Sequence, residues 1–321
     1  MRDIVFLSIG DWANVGASLA AAGREVGMDC VSFDYKHHPF GYLTKSSLLD
    51  EIDPGFAKRG RGDLRKFTDD FKAVVLMHSR SPAFFGFKKE DIIEKRSWQK
   101  WAAFHGTTPF RESLLGFNEI VDVQLFQTAD LSEHGMVNEQ WLIPPVDTEY
   151  IKPVFSESEI IKGKGLVFRH NPRHEICKGS SVVNKVMENF KSRCNYEFSS
   201  EQKLWPENIE RMGQCDAYIV SMGETNIGEG EWGLTALEAA ALGKIVITQF
   251  GGLSKYEKEY NCVCPFVVVE NSRLDIAIEK VLTISPGEIV DRQKQTRKWV
   301  EDVHSYKPTG LRLKKFLIRD K

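Results

Sequence analysis

From Gly230 to Thr248 the chain reads as a glycine turn, a helix of small residues carrying one acidic side chain, a second glycine and a β-branched strand. That order belongs to an open α/β sheet. There a helix starts beside the carboxyl ends of the strands, its first backbone N–H groups face any anion, and a carboxylate one turn on meets hydroxyl groups. Glu238 is that carboxylate. Its neighbours Ala236, Leu237, Ala239, Ala240 and Ala241 make the helix apolar nearly all round, so the segment predicts an inward-facing acid rather than a solvated one.

The same alternation extends along the whole chain, as βα units of a parallel sheet require. Strands are predicted at Ile4–Ile9, Cys30–Phe33, Ala73–His78, Trp101–His105, Val121–Gln127 and Trp141–Pro144, then at Leu166–His170, Tyr196–Phe198, Ala217–Ser221, Ile245–Thr248 and Pro265–Val269. Helices are predicted at Ala17–Val26, Ser180–Lys191, Glu207–Met212, Thr235–Leu242, Asp275–Thr283 and Glu288–Val303. A length of 321 residues exceeds what one core organises, which predicts two domains. Pro144-Pro145 marks the boundary, since consecutive prolines end a strand and stiffen a connection. A net charge of -2 gives no electrostatic footprint for nucleic acid. Six cysteines without paired CxxC spacing point to buried thiols in a reducing compartment. The first strand starts at about Ile4 and no apolar run reaches membrane-spanning length, so a cytoplasmic setting is expected.

Three further clusters carry potential chemistry. Gly10-Asp11-Trp12-Ala13-Asn14-Val15-Gly16 follows a strand and opens an alanine-rich helix, which predicts close ligand approach to Asp11, Asn14 and Gly16. Its spacing is not the dinucleotide fingerprint, and Asp34 is only a loose match to a ribose-binding acid. His105-Gly106-Thr107-Thr108-Pro109-Phe110-Arg111 follows another strand and offers His105, Thr107 and Arg111 to a polyhydroxylated or phosphorylated molecule. Arg169-His170-Asn171-Pro172-Arg173-His174 leads to Lys178-Gly179-Ser180, a cationic loop and helix start suited to a pyrophosphate, with Arg173 and Lys178 as main candidates and Arg169 as substitute. His170 and His174 lack a third ligand nearby, so no metal is expected. Two basic stretches, Lys58–Lys66 and Arg312–Arg319, read first as solvated faces. With Phe84, Phe85 and Phe87 they also raise peripheral contact with an anionic membrane surface.

In this order the motifs resemble the GT-B glycosyltransferases, especially the retaining family four: Gly10 to Gly16, Ile143-Pro144-Pro145-Val146-Asp147, Lys178-Gly179, and Trp232-Gly233-Leu234-Thr235-Ala236-Leu237-Glu238 running on through Gly243-Lys244-Ile245-Val246-Ile247. The resemblance implies an α/β fold of two Rossmann-like, doubly wound parallel-sheet domains facing a cleft. Residues 1–147 with a C-terminal crossover at about 300–321 would form the acceptor side, and residues 148–299 the donor side. It implies a nucleotide-sugar donor, a glycan, lipid-linked or protein-linked acceptor rather than nucleic acid, transfer with retention, and no metal or other cofactor. Glu238 then matches the ribose-binding carboxylate, with Gly233, Leu234, Thr235, Arg169 and Gly179 around the nucleotide; Arg173 and Lys178 match the pyrophosphate clamp; His105 would serve the sugar or the reacting hydroxyl. Gly16, Asn14, Asp11, Thr107, Arg111 and Glu231 would line the donor sugar or acceptor. Two departures stand out: the family's first acidic residue falls at Gly230, between Glu229 and Glu231, and Ile245 replaces the usual proline. Two other readings share these residues: a nucleotide-sugar epimerase of the same fold, and a catalytically silent sugar-nucleotide or glycan-binding module.

Overall fold

The computed structural model describes residues 1–106, 114–133, 135–222, 232–269 and 273–318. The chain divides into two compact units, Met1–Pro145 with Ser305–Lys321, and Val146–His304.

The first unit is built on a seven-stranded sheet of β1 (Arg2–Ser8), β2 (Cys30–Asp34), β3 (Ser47–Leu48), β4 (Phe71–Leu76), β5 (Lys100–His105), β6 (Val123–Phe126) and β7 (Glu139–Trp141). Their order is β3-β2-β1-β4-β5-β6-β7 and every pairing is parallel. A central parallel strand is covered on both faces, so it reads as a continuous apolar run. In β1 the residues Ile4, Val5, Phe6 and Leu7 are all fully buried. Helix α1 (Val15–Glu25) lies against β1 and β2 and against the C-terminal helix Tyr306–Leu317. That last packing depends on Gly310, where a Cβ would stand 2.1 Å from the carbonyl oxygen of Ala22.

The second unit holds α2 (Ser158–Lys164), β8 (Val167–His170), α3 (Ser180–Glu188), β9 (Asn195–Phe198), α4 (Trp205–Gly213), β10 (Ala217–Ile219), α5 (Leu234–Ala241), β11 (Ile245–Gln249), α6 (Leu253–Tyr260), β12 (Val267–Val269), α7 (Leu274–Leu282) and α8 (Pro286–His304). Its five strands run parallel in the order β12-β11-β10-β8-β9. Phe168, Val183, Met187, Ala217, Ile219, Ile247, Ile278 and Ile289 anchor its core. A second, aromatic cluster gathers Trp232, Phe250, Tyr256, Phe266, Trp299 and His304. Helix α5 is buried from Ala236 to Ala241, as its small residues predict, because alanines let it approach β11 and α8 closely.

The first basic stretch carries ion pairs, Arg59 with Asp53 and Arg65 with Asp63 and Asp91, and nearby in sequence Lys89 pairs with Glu119. Phe85 and Phe87 are core residues, while Phe84 stays exposed. No helix among the described residues is long and apolar enough to cross a membrane.

Candidate functional site

In sheets of this kind ligands bind beyond the carboxyl ends of the strands, where successive connections leave in opposite directions. The first sheet reverses between β1 and β4, the second between β8 and β10. Each reversal gathers residues singled out by the sequence.

At the first reversal, β1 runs into a turn where Ala13 and Asn14 both take left-handed backbone, φ 54° and 58°. The turn after β4 does the same at His78 and Ser79, each at φ 55°. Four non-glycine residues in that region cost about 1–2 kcal/mol each, a concentration of strain typical of ligand-handling turns. Asp11 explains how the first turn is held. Its carboxylate accepts the Gly16 and Ala17 amides at 2.9 and 3.2 Å, and His78 Nε2–H at 3.0 Å. The helix start predicted to favour an external anion is therefore occupied by the chain's own carboxylate. Gly16 leaves room for it, since a Cβ there would lie 2.9 Å from Ser32 Oγ and 3.2 Å from Asp11 Oδ2. Asn14 is buried and donates to the Thr44 carbonyl. Asp34, the loose ribose match, is engaged by the Gly10, Asp11 and Tyr35 amides, and burial raises its pKa. Asp11, Asn14 and Asp34 also line a polar pocket with His37, His38, Tyr42, Lys45 and Ser46. His78 Nδ1 is buried with no hydrogen-bond partner among the described residues.

His105 corrects its own prediction. It ends β5 inside the sheet at 0% exposure, so it offers no open imidazole to a sugar. Gln124 fixes its tautomer: the amide nitrogen of Gln124 donates to Asn118 Oδ1, its Oε1 accepts His105 Nε2–H at 3.2 Å, and His105 Nδ1 accepts from Ser79 Oγ at 2.9 Å. Burial lowers its pKa to about 3, so the ring is neutral. Ser79, in the strained turn after β4, is one hydroxyl through which the ring is connected to that turn. Thr107 and Arg111 lie outside the described residues, as does Glu231 with Glu229 and Gly230.

At the second reversal the loop after β8 carries Arg173, which is exposed, and Lys178, which is half-buried. Lys178 sits near enough to His170 to oppose its protonation, although burial is the larger cause of the lowered His170 pKa. Both His170 ring nitrogens are engaged within the protein: Nδ1–H donates to the Ile219 carbonyl and Nε2 accepts from Ser180 Oγ, both at 2.9 Å. These bonds tie the start of α3 to β8 and β10. Gly179 makes that start possible with φ 64°. Inside the first turn the Ser180 amide bonds Glu175 and those of Val182 and Val183 bond Gly179, leaving only the Ser181 amide without a partner among the described residues. Arg169 is corrected too. It is 5% exposed, paired with Glu197 and donating to the Arg211 carbonyl, which leaves its guanidinium inside the sheet rather than at a phosphate.

Glu238 is the most telling residue. It stands in the second turn of α5 at 8% exposure and accepts a hydrogen bond of 2.6 Å from Trp205 Nε1–H into Oε1. Among the described residues no cation pairs with it, and burial raises its pKa to about 6, opposed by the Trp205 bond. A buried carboxylate without a cation is costly to a fold, which makes the position a candidate for function. Gly233, Leu234 and Thr235 are half-exposed at the start of the same helix. Leu234 and Thr235 contribute amides with no backbone partner among the described residues, the open anion site that the α1 start does not provide. No group of three or more His, Cys, Asp or Glu side chains converges for a metal among the described residues.

Sequence reasoning missed Trp205 and the His78-Ser79 turn. Trp205-Pro206 signals a helix start, but a contact spanning 33 residues to Glu238 has no local signature.

Neither a family model nor a curated protein matches the sequence. Solved structures do match. Anabaena HepE in complex with UDP and glucose superposes with a TM-score of 0.58 at 12% identity, covering 99% of each chain. An alpha-glucosyltransferase in complex with UDP-glucose and DNA containing an abasic site gives 0.63 at 12%, covering 95% of this chain and 96% of that one. A glycosyltransferase from Rickettsia africae gives 0.63 at 13%, covering 99% and 100%. The chain has the GT-B fold. In a GT-B chain the two sheet reversals are the expected ligand positions; the first holds the strained turns and the second the open amides and the buried carboxylate.

Proposed function

We propose that this GT-B protein is a glycosyltransferase that moves a sugar from a nucleoside-diphosphate sugar to a hydroxyl acceptor. The observation that carries the reading is Glu238, a buried carboxylate without a cation among the described residues, behind a helix start whose first amides have no backbone partner among them. A ribose diol supplies the two donors such a carboxylate lacks, and the Leu234 and Thr235 amides suit phosphate oxygens. Similar structures of the same fold hold UDP or UDP-glucose, which supports this ligand class.

The second unit takes the donor, with Arg173, Lys178 and the Ser181 amide at the diphosphate. The first takes the acceptor, with the pocket of Asp11, Asn14, His37, His38 and Tyr42 as its polar wall. Transfer breaks the bond between the anomeric carbon and the diphosphate oxygen and forms one to the acceptor oxygen. The acceptor proton passes to the departing diphosphate. Charge grows on that leaving group, so its neutralisation by Lys178 and Arg173 is the main catalytic contribution. This course retains anomeric configuration and requires neither a protein nucleophile nor a metal. The acceptor is a glycan, lipid-linked or protein-linked hydroxyl.

The test incubates the protein with a panel of nucleotide sugars and simple glycoside acceptors, with EDTA present. Proton NMR of the product anomer then reads the stereochemistry. Product of the donor's own configuration, lost in Lys178→Ala, is expected. Donor epimerised without acceptor would point to the epimerase, and binding without turnover to a silent module.

A further inference from the structure

Behind Glu238 stands a second layer of residues. Trp205 opens α4, and its indole N–H reaches 33 residues along the chain to Glu238 Oε1. The other face of the problem is the indole's own orientation. Tyr150 stacks on it with ring centroids 5.1 Å apart and planes 28° from parallel. Tyr150 is in turn fixed by its amide, which donates to Asp147 Oδ1 at 2.8 Å. The second carboxylate oxygen, Oε2, takes no hydrogen bond among the described residues and is not one of the sealed, unsatisfied atoms of this unit. One oxygen is therefore held and the other presented.

We propose that Trp205, steadied by Tyr150, is a positioning residue that orients the Glu238 carboxylate for the ribose hydroxyls of a nucleoside diphosphate and sets this site's preference for ribose over deoxyribose. The proposal rests on the donor-site reading above. A carboxylate on a flexible two-carbon stem loses rotamer freedom when it binds a diol. A fixed N–H donor removes that cost before the ligand arrives and leaves the free lone pairs aimed in one direction. A hydrogen bond to one oxygen also favours the charged form that accepts from hydroxyls. The remaining neighbours do not substitute for it. From β10 comes Tyr218, itself a neutral phenol whose pKa is raised by burial. From α8 comes Arg297, whose guanidinium is engaged by the carbonyls of Ala241, Ile151 and Thr148 and by Glu301. On α4, Arg211 faces Glu201. Beyond β10, Arg169 is paired with Glu197.

The test is calorimetric titration of the full chain with UDP, GDP and ADP and their 2′-deoxy forms between pH 5 and 8, on wild type, Glu238→Gln, Trp205→Phe and Tyr150→Leu. Phenylalanine keeps an aromatic ring at position 205 and deletes the donor together with part of the indole; Tyr150→Leu keeps the donor and loosens it. In the wild type, affinity for one ribonucleotide is expected to rise as pH passes about 6, where Glu238 ionises. Its preference over the deoxy form is expected to be roughly tenfold, the worth of one hydrogen bond to a charged group. Trp205→Phe should move that midpoint upward by about one unit and take the ribose preference most of the way to unity. Tyr150→Leu should move both in the same direction, less far. A Trp205→Phe protein with wild-type midpoint and ribose preference overturns the proposal, and so does one that merely weakens every nucleotide equally. Where no nucleoside diphosphate binds the wild type, or Glu238→Gln binds as the wild type does, the donor-site reading itself fails.

Discussion

Glu238 joins a proposed function to a cost in one side chain. Its folded pKa of about 6 lies above the ordinary glutamate value of 4.5, because burial disfavours the charge. Between those values the folded state holds the extra proton, so the carboxyl's contribution to stability is present below pH 4.5 and declines as pH rises through about 6. The loss amounts to about 2 kcal/mol. Glu238→Gln keeps an acceptor for Trp205 and removes the charge. The variant is therefore expected to unfold at higher denaturant than the wild type at pH 8, to match it near pH 4.5, and to lose nucleotide affinity. Urea titrations at the two pH values check this, and equal stability at both would deny that the carboxylate is held at a cost. Much of this was legible beforehand: the small residues around Glu238 predict its burial. The sequence does not show that Asp11 fills its own helix start, that His105 turns inward on β5, or that Arg169 is engaged by Glu197. Each depends on a partner brought close by the sheet, and single-residue chemistry carries no trace of such a partner.

At the scale of elements, close approach between helices is the sensitive quantity. Gly310 places the C-terminal helix directly on the backbone of α1, with 2.1 Å between an added Cβ and the Ala22 oxygen. Backbone cannot move aside as a flexible side chain can, so Gly310→Ala is expected to destabilise by about 1–3 kcal/mol or more. Gly287, early in α8, has nothing within 4 Å of the same added atom. Gly287→Ala should be neutral or stabilise by up to ~1 kcal/mol from helix propensity alone. Thermal denaturation of the pair separates packing from propensity, and equal effects would contradict the tight helix contact. Strands were legible because buried parallel strands are unbroken apolar runs: each of the eleven predicted ones overlaps an observed strand, with ends displaced by at most three residues and the Trp141–Pro144 prediction sharing only Trp141 with β7. The two-residue β3 was missed because two residues carry no periodicity. Helix α6 was missed because Tyr256 and Tyr260 are its only buried side chains, and α2 because Gly163 and two lysines mask its short apolar face.

At the scale of the molecule, the division of the chain makes a physical claim about where ligand affinity resides. Val146–His304 is continuous in sequence and contains a complete five-stranded sheet with its own core. Every residue assigned here to the nucleotide lies within it: Glu238, Trp205, Tyr150, Arg173, Lys178 and the open amides of α5. The first unit is discontinuous, since its C-terminal helix returns from beyond the second. A fragment of residues 146–304 is therefore expected to fold cooperatively, whereas residues 1–145 alone would expose the face of α1 that Gly310 covers. With nucleotide at 100 times its dissociation constant the fragment should gain ~2.7 kcal/mol, a rise in melting temperature of roughly 5–10 °C. Circular-dichroism melts of the fragment with and without UDP, GDP or ADP measure it. A folded fragment that ignores every nucleotide the full chain binds would assign part of the affinity to the first unit. A fragment that responds like the full chain would place the whole nucleotide site on the second sheet, and leave the strained turns at Ala13–Asn14 and His78–Ser79 to the acceptor.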